Sequence, residues 1–331
     1  MNYRQFGRTG WKVSEVGYGM WGLAGWSGSD DKESIASLHR AIELGCNFFD
    51  TAWAYGDGKS EQILAGVLRE SKNKPGIGGP DKHLYVATKI PPKNRRWPSL
   101  RNFTLDDCYP PEYIDEYVAK SLTNLGLETI DVMQFHTWED RWLNDERLPR
   151  AIENMKKSGK VRAVGPSINR WEPWNGIRAV LEGYADAVQV IYNIFDQNPD
   201  DALFPVCRMK EAAVIARVPF DEGTLTGNLT LDSKWPAEDW RSTYFVPENL
   251  KCSVAHAEAL RPLLPSGSAM AEIAVRFILD NPDVNTTIPG MRKLKNVEAN
   301  VRASTAGPLP GELHKKLVGH RWDRNPTWWS Q

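Results

Sequence analysis

Short apolar runs alternate with segments of helical spacing eight times along this chain, and that alternation restricts the folds open to it more than any other feature. The runs are 16–19, 47–50, 84–88, 130–135, 161–165, 187–191, 214–217 and 285–288. The helical segments are 31–44, 60–69, 111–125, 148–158, 173–182, 201–212, 268–279 and 294–303; the first carries Ile35, Leu38, Ala41 and Ile42 at helical spacing and stops at Gly45. Runs that are apolar throughout belong to strands buried on both faces. Strict alternation implies a parallel sheet, and eight units close into a (β/α)₈ barrel. No dinucleotide-type glycine fingerprint follows the first run, which disfavours an open doubly wound sheet. Ahead of it, residues 3–6, the turn Gly7-Arg8-Thr9-Gly10 and residues 11–13 alternate like a short hairpin placed to plug the barrel bottom.

At 331 residues the chain is long for an ordinary domain but within the range of one such barrel, so residues 1–331 read as a single domain. A net charge of -1 gives no global field for nucleic acid or an anionic membrane, so binding must be local. Cys46, Cys108, Cys207 and Cys252 lie far apart with no CxxC pair, which argues for free thiols in a reducing compartment and against a metal site. The start has no apolar core segment, and nowhere do about eighteen apolar residues run together. The expectation is a soluble, cytoplasmic protein. Gly76-Ile77-Gly78-Gly79-Pro80 precedes a strand rather than a helix and reads as a surface turn, and Lys93-Asn94-Arg95-Arg96-Trp97 as a solvated basic loop. The stretch 220–250 has weak periodicity, and an insertion of that length at a barrel top usually covers a ligand.

Polar residues end consecutive runs. Asp50 closes the second, Lys89 follows the third, His136 follows the fourth, and Tyr55 lies in the loop after Asp50. An aspartate ending a strand is usually a turn former, and a lone histidine is usually core. Four such groups at the carboxyl ends of strands mark instead the face on which barrel enzymes keep their chemistry. A tyrosine serves as a general acid at neutral pH when a neighbouring ammonium lowers its pKa; a carboxylate would hold that ammonium, and a histidine would orient a carbonyl.

Through Phe49-Asp50-Thr51-Ala52 to Tyr55-Gly56, Ala87-Thr88-Lys89 and Gln134-Phe135-His136, the chain resembles the aldo-keto reductase superfamily in its bacterial NADP-dependent form. The resemblance continues in residues 162–169, 189–193 and 219–227, and in Ile288-Pro289-Gly290 with Arg292, Val297 and Asn300, so it covers almost the whole chain. It implies a TIM barrel with an N-terminal hairpin and extra C-terminal loops and helices. It also implies NADPH-dependent reduction of an aldehyde or ketone, without metal. Tyr55 would be the proton donor, Lys89 and Asp50 would tune it, and His136 would position the carbonyl oxygen. Ser167, Asn169 and Gln189 would hold the nicotinamide carboxamide, with the backbone around Phe220, Gly223, Leu225 and Gly227 cradling the pyrophosphate. Arg292 matches the contact to the adenosine 2'-phosphate, and Asn296 and Asn300 match the adenine contacts; Gly19, Trp21, Pro219 and Gly290 complete the cofactor set.

Two departures stand out. Pro166-Ser167-Ile168-Asn169 replaces the family's commoner Val-Ser-Asn or Leu-Ser, leaving open which of Ser167 and Asn169 meets the carboxamide. Arg217 stands where several members place an aromatic ring on the nicotinamide; a guanidinium can also stack, and its charge would favour reduction. Trp21, Trp26, Trp53, Trp97 and Trp138 fall in loops of the active face, and the tail 322–329 would supply the last wall, suiting flat ketones, aldehydes or the apolar faces of sugars. A small-molecule carbonyl is thus the expected partner. Alternatives on the same fold are an NADP-dependent sugar or cyclitol dehydrogenase and a cofactor-sensing regulatory subunit.

Overall fold

The structure, a computed structural model, describes residues 1–24, 29–71, 74 and 76–324. Strands β1 (Tyr3–Gln5) and β2 (Lys12–Ser14) pair antiparallel as a hairpin. Strands β3 (Tyr18–Gly19), β4 (Phe48–Asp50), β5 (Tyr85–Ile90), β6 (Ile130–Phe135) and β7 (Val161–Pro166) form a parallel sheet in that order. Strands β8 (Ala187–Ile191), β9 (Ala213–Arg217) and β10 (Thr286–Thr287) form a second one. Two seams join the sheets. At one, Ser167 bridges Gln189 and the Asp186 amide donates to the Val164 carbonyl at 2.7 Å; at the other, Val16 bridges Thr287 and Gly19 bridges Gly290. The result is the (β/α)₈ barrel. Gly165 is required at the first seam, because a Cβ there would lie 1.9 Å from the Ala187 carbonyl oxygen.

Helix α1 (Asp31–Glu43) follows β3, α2 (Lys59–Ser71) follows β4, α3 (Leu105–Cys108) and α4 (Pro111–Leu125) follow β5, and α5 (Arg147–Lys157) follows β6. Helix α6 (Ile177–Leu181) follows β7 and α7 (Leu203–Lys210) follows β8. After β9 come α8 (Arg241–Tyr244), α9 (Pro247–Leu260) and α10 (Met270–Leu279), and after β10 come α11 (Leu294–Thr305) and α12 (Gly311–Val318). Local signals set their ends. Asp30 caps α1 by accepting from the Glu33 amide at 2.8 Å, while α4 starts on Pro111 and stops at the left-handed Gly126. No helix among the described residues is long and apolar enough to cross a membrane.

The strands alternate between two apolar environments. Phe48, Tyr85, Ala87, Val132, Ala163, Ala187, Ala213 and Ile215 pack together in the barrel interior, while Phe49, Val86, Met133, Val164, Val188 and Val214 pack under the helices. Phe6 and Val13 join the interior cluster from the hairpin, Phe6 lying 5.4 Å from Phe48, and Trp11 stacks at 5.1 Å on Tyr85. The hairpin is the bottom plug that its alternation predicts.

Most helical segments match their expected spans within a few residues, with three differences. The segment 173–182 is helical only over α6, because its helix start is built from another loop: the Asp140 carboxylate accepts from the Arg178 and Ala179 amides at 2.9 and 3.3 Å. Helix α9 occupies the end of the insertion and beyond; its buried face mixes Leu250, Ala257 and Leu260 with Asn249 and Ser253, which erases the apolar period. Short α3 and α8 and the C-terminal α12 are also additional.

Candidate active site

The inward phase that buries Phe48, Tyr85, Val132 and Ala187 carries Asp50, Lys89, Gln134 and Gln189 into the top of the same interior. These four make one polar layer. The Lys89 ammonium lies 2.5 Å from Asp50 Oδ1, 2.8 Å from the Thr51 carbonyl and 3.3 Å from the Tyr55 hydroxyl, which uses its three protons. Asp50 Oδ2 accepts from Gln134 Nε2 at 3.0 Å and Gln189 Nε2 at 2.7 Å. A buried ion pair survives when its remaining lone pairs are satisfied, and this one is. Behind it, Glu61 of α2 accepts from Thr88 at 2.6 Å and from Asn124 at 2.8 Å.

Tyr55 is held by a compact turn. Its amide donates to the Ala52 carbonyl at 3.0 Å, Gly56 follows in the left-handed region (φ 67°), and the Thr51 and Ser60 hydroxyls meet at 2.8 Å. His136 is fixed as its amide donates to the Ile90 carbonyl at 3.0 Å, and its ring meets Tyr55 and Trp97 edge-on at 5.6 and 5.5 Å. Its Nδ1 is buried without a hydrogen-bond partner among the described residues.

Burial decides the titration of this layer. It raises the Tyr55 phenol above its ordinary value of 10; Lys89 pulls it back only in part, and Asp50 adds to the rise. The expectation that the ammonium leaves a lowered phenol pKa is therefore corrected, because desolvation outweighs the charge. For Lys89, burial works against the ammonium, but Asp50 and Tyr55 outweigh it and the net shift is upward. Burial, followed by Lys89 and Arg217, holds His136 well below 6.5, so the ring is neutral at neutral pH.

Above this layer lies a cleft of about 690 Å³ with Asp50, Tyr55 and His136 in its wall. Ser167, Asn169 and Gln189 line it, as do Gly19 and Trp21 on the β3 side and Gly290 and Arg292 beyond β10. Arg217, Pro219, Phe220 and Gly223 come from β9 and the loop after it. Leu225 is buried in the core, Gly227 ends the loop with φ 75°, Asn296 is exposed on α11, and Asn300 is buried one turn further on. Trp97 and Trp138 line the cleft. Trp53 is not brought to it: its ring packs edge-on against Tyr117 at 4.9 Å between Arg95 and Lys120. Trp26 and the tail from residue 325 lie outside the described residues.

Arg217 points inward from the end of β9 and donates to the Ile168 carbonyl at 3.0 Å. Beside it the loop after β9 has left-handed Val218, Asp221 and Glu222 at φ 55°, 45° and 57°. Such backbone persists only when its surroundings over-determine it. Here Asp221 is locked by Arg170 at 3.2 Å and Arg324 at 2.8 Å, Arg324 also reaches Asp196 at 2.9 Å, and the Tyr244 hydroxyl accepts from Arg170 at 2.9 Å.

Gln134, Glu222, Trp240 and Arg241 are cleft or network residues without an assigned role from sequence. Only Gln134 had a signal, since it shares the inward phase of Val132. The others come from segments with no period.

Parallel-barrel architecture, a buried lysine–carboxylate pair against a tyrosine, and a neutral histidine at the carboxyl ends of the strands define a barrel with an enzyme-like site. Residues 15–321 match the model of the aldo/keto reductase family, and the chain belongs to that family. It is 28% identical over 305 residues to the aldo-keto reductase YhdN of Bacillus subtilis, covering 90% of this chain and 87% of the relative. It is 29% identical to the NADH-specific methylglyoxal reductase of Escherichia coli, covering 90% and 91% of the two chains. Among solved structures, the glycerol dehydrogenase AKR11B4 of Gluconobacter oxydans matches with a TM-score of 0.77 at 28% identity, covering 98% and 97%.

Proposed function

We propose that the protein is an NADPH-dependent oxidoreductase that reduces a small aldehyde or ketone to the alcohol, with Tyr55 as general acid. The observation that carries this reading is the 3.3 Å contact between the Lys89 ammonium and the Tyr55 hydroxyl, with the Tyr55 ring against His136 at the cleft wall.

The cleft suits a nicotinamide cofactor. Its volume of about 690 Å³ is that of a small-molecule site, and Arg292 and Gly290 share its wall with Ser167, Asn169 and Gln189. A guanidinium fork matches a phosphate and favours NADP over NAD, so Arg292 would hold the 2'-phosphate. Asn169, Ser167 and Gln189 would hold the carboxamide; the backbone at Phe220 and Gly223 would meet the pyrophosphate, and Asn296 and Asn300 the adenine. A reduced nicotinamide bound there would supply the hydride that the carbonyl carbon accepts.

The chain's own residues do the rest. Tyr55 gives its proton to the carbonyl oxygen as charge develops there, and its raised pKa keeps that proton in place through the neutral range. Lys89 stabilises the phenolate left behind, and Asp50, held by Gln134 and Gln189, keeps Lys89 charged and aligned. Neutral His136 orients the carbonyl oxygen by a hydrogen bond without adding charge. Trp97, Trp138 and Trp21 would exclude water and favour flat or apolar substrates.

Calorimetric titration with NADPH and NADH, followed by assays on aromatic aldehydes, dicarbonyls and keto sugars, tests the reading. Tight NADPH binding with turnover is expected; binding without turnover on any carbonyl would remove the reductase assignment. The likeness to a glycerol dehydrogenase favours one second reading, oxidation of a polyol or sugar with NADP⁺, which the same cofactor assay run with glycerol and sugars addresses.

A further inference from the structure

A second cavity, of about 270 Å³, lies beside the catalytic cleft at the carboxyl ends of β7 and β8. Arg170 and Ile191 line both cavities, so the two are neighbours across one partition. The loop after β7 supplies Trp171 and Trp174, the loop after β8 supplies Asn198, and the chain beyond α12 supplies Trp322. The catalytic layer does not border it.

This cavity is held in shape. The Trp322 amide donates to the Phe195 carbonyl at 2.9 Å, and the indole carries the stacked His256 ring at 4.0 Å and the Arg324 guanidinium at 4.2 Å. The loop bearing Trp171 and Trp174 is tied to the loop after β6 by Asn175, whose Oδ1 accepts from the Asp140 amide at 2.8 Å and whose Nδ2 donates to the Trp138 carbonyl at 3.3 Å. Trp174 is nevertheless 52% exposed. Indoles fixed at the edge of a cavity suit the C–H face of a ring.

Polar atoms of the wall narrow the ligand. Trp171 Nε1, Arg170 Nε and Arg324 Nε are each buried without a hydrogen-bond partner among the described residues, and the two arginine side chains are only 4% and 2% exposed. A buried donor left unsatisfied is costly, so three around one cavity call for acceptor oxygens. Those oxygens are not anionic, because both guanidiniums are already neutralised. Arg324 meets Asp196 at 2.9 Å and Asp221 at 2.8 Å, and Arg170 meets Asp221 at 3.2 Å and Glu222 at 3.7 Å. Two cations facing three acidic side chains leave no attraction for an anion. Asn198 and Asp323, also on the wall, bring acceptors of their own. Hydroxyl groups both donate and accept, and so satisfy both sets.

We propose that this cavity binds a neutral sugar ring, its C–H face on the indoles and its oxygens on the unpartnered donors, as the distal subsite of a glycosylated carbonyl substrate whose reacting end lies at Tyr55. The ring site rests on the cavity itself; its place in the substrate rests on the reductase reading above. Trp171 and Trp174 are then specificity residues, touching the part of the substrate that does not react.

The test begins with calorimetric titration of the full chain, of Trp174→Ala and of Trp171→Phe with the methyl glycosides of glucose, galactose, mannose and xylose. One of them should bind, and each variant should raise its dissociation constant about 2- to 10-fold, Trp171→Phe by losing a donor and Trp174→Ala by losing an indole face. Steady-state assays then compare 4-hydroxybenzaldehyde with its O-glycoside of the same sugar. The glycoside should have the lower KM in the wild type, and the ratio of its KM to that of the free aldehyde should rise about 2- to 10-fold in the variants. No glycoside binding to the wild type overturns the proposal, and so does binding that neither variant changes, which places the sugar elsewhere. If Trp171→Phe fails to fold, Trp174→Ala decides. An unchanged KM ratio overturns the distal-subsite role, whereas turnover of neither aldehyde removes the reductase reading and leaves the titrations to decide the ring site.

Discussion

Gln189 on β8 reaches across the barrel mouth to Asp50 on β4, its amide donating to Oδ2 at 2.7 Å. The carboxylate that aligns Lys89 is therefore braced from the opposite sheet, and Gln134 braces it from β6 at 3.0 Å. Three strands and both sheets thus fix one ammonium, which in turn fixes Tyr55.

If Tyr55 is the general acid, as proposed, removing its hydroxyl removes the proton donor and little else. Tyr55→Phe is expected to lower kcat by about 10²- to 10⁴-fold while the NADPH dissociation constant stays within about twofold. Steady-state assays and cofactor titration on the same preparation check this, and retained turnover would exclude Tyr55 as the acid.

Breaking the buried pair should cost stability as well as rate. Lys89→Met leaves the Asp50 carboxylate buried with only its glutamine partners, and about 3–5 kcal/mol should be lost in denaturant unfolding. Adding Asp50→Asn should recover part of that, because the double variant buries no unpaired charge. A double variant as unstable as the sum of the singles would mean that the two charges do not interact.

His136 predicts an acid-side loss of stability. Its folded pKa lies below the unfolded value of about 6.5, so below that pH the unfolded chain takes up a proton that the folded chain refuses. Stability should fall as pH drops from about 6.5 towards the folded pKa, by up to about 1.4 kcal/mol per pH unit, and be regained above that window. Urea midpoints at several pH values should show the gap between wild type and His136→Asn narrowing in acid; a constant gap would refute the assignment.

Arg217 should bias the cofactor equilibrium. Oxidation makes the nicotinamide ring cationic, and a guanidinium beside it disfavours that form. Arg217→Tyr is expected to lower the ratio of the NADP⁺ to the NADPH dissociation constant, read by titration with each form; an unchanged ratio would place Arg217 away from the ring.

The sequence by itself determined the repeating pattern. Eight apolar runs with helical segments between them are a local property, since strand burial and helical spacing are set by near neighbours, and they led to the barrel, its hairpin plug and the four polar residues at the strand ends. What only the tertiary structure decided depends on distance in sequence. Asp140 starting α6, Gln189 bracing Asp50, and Arg324 meeting Asp221 join residues 38, 139 and 103 positions apart, and no local period records them. Trp53, near Tyr55 in sequence, faces Tyr117 rather than the cleft because the turn after β4 directs it towards α4. Trp240 and Arg241 come to the cleft because the insertion folds back over β3, where Trp21 receives it. Side-chain period specifies which residues face inward, whereas the closure of the ring specifies which of them meet.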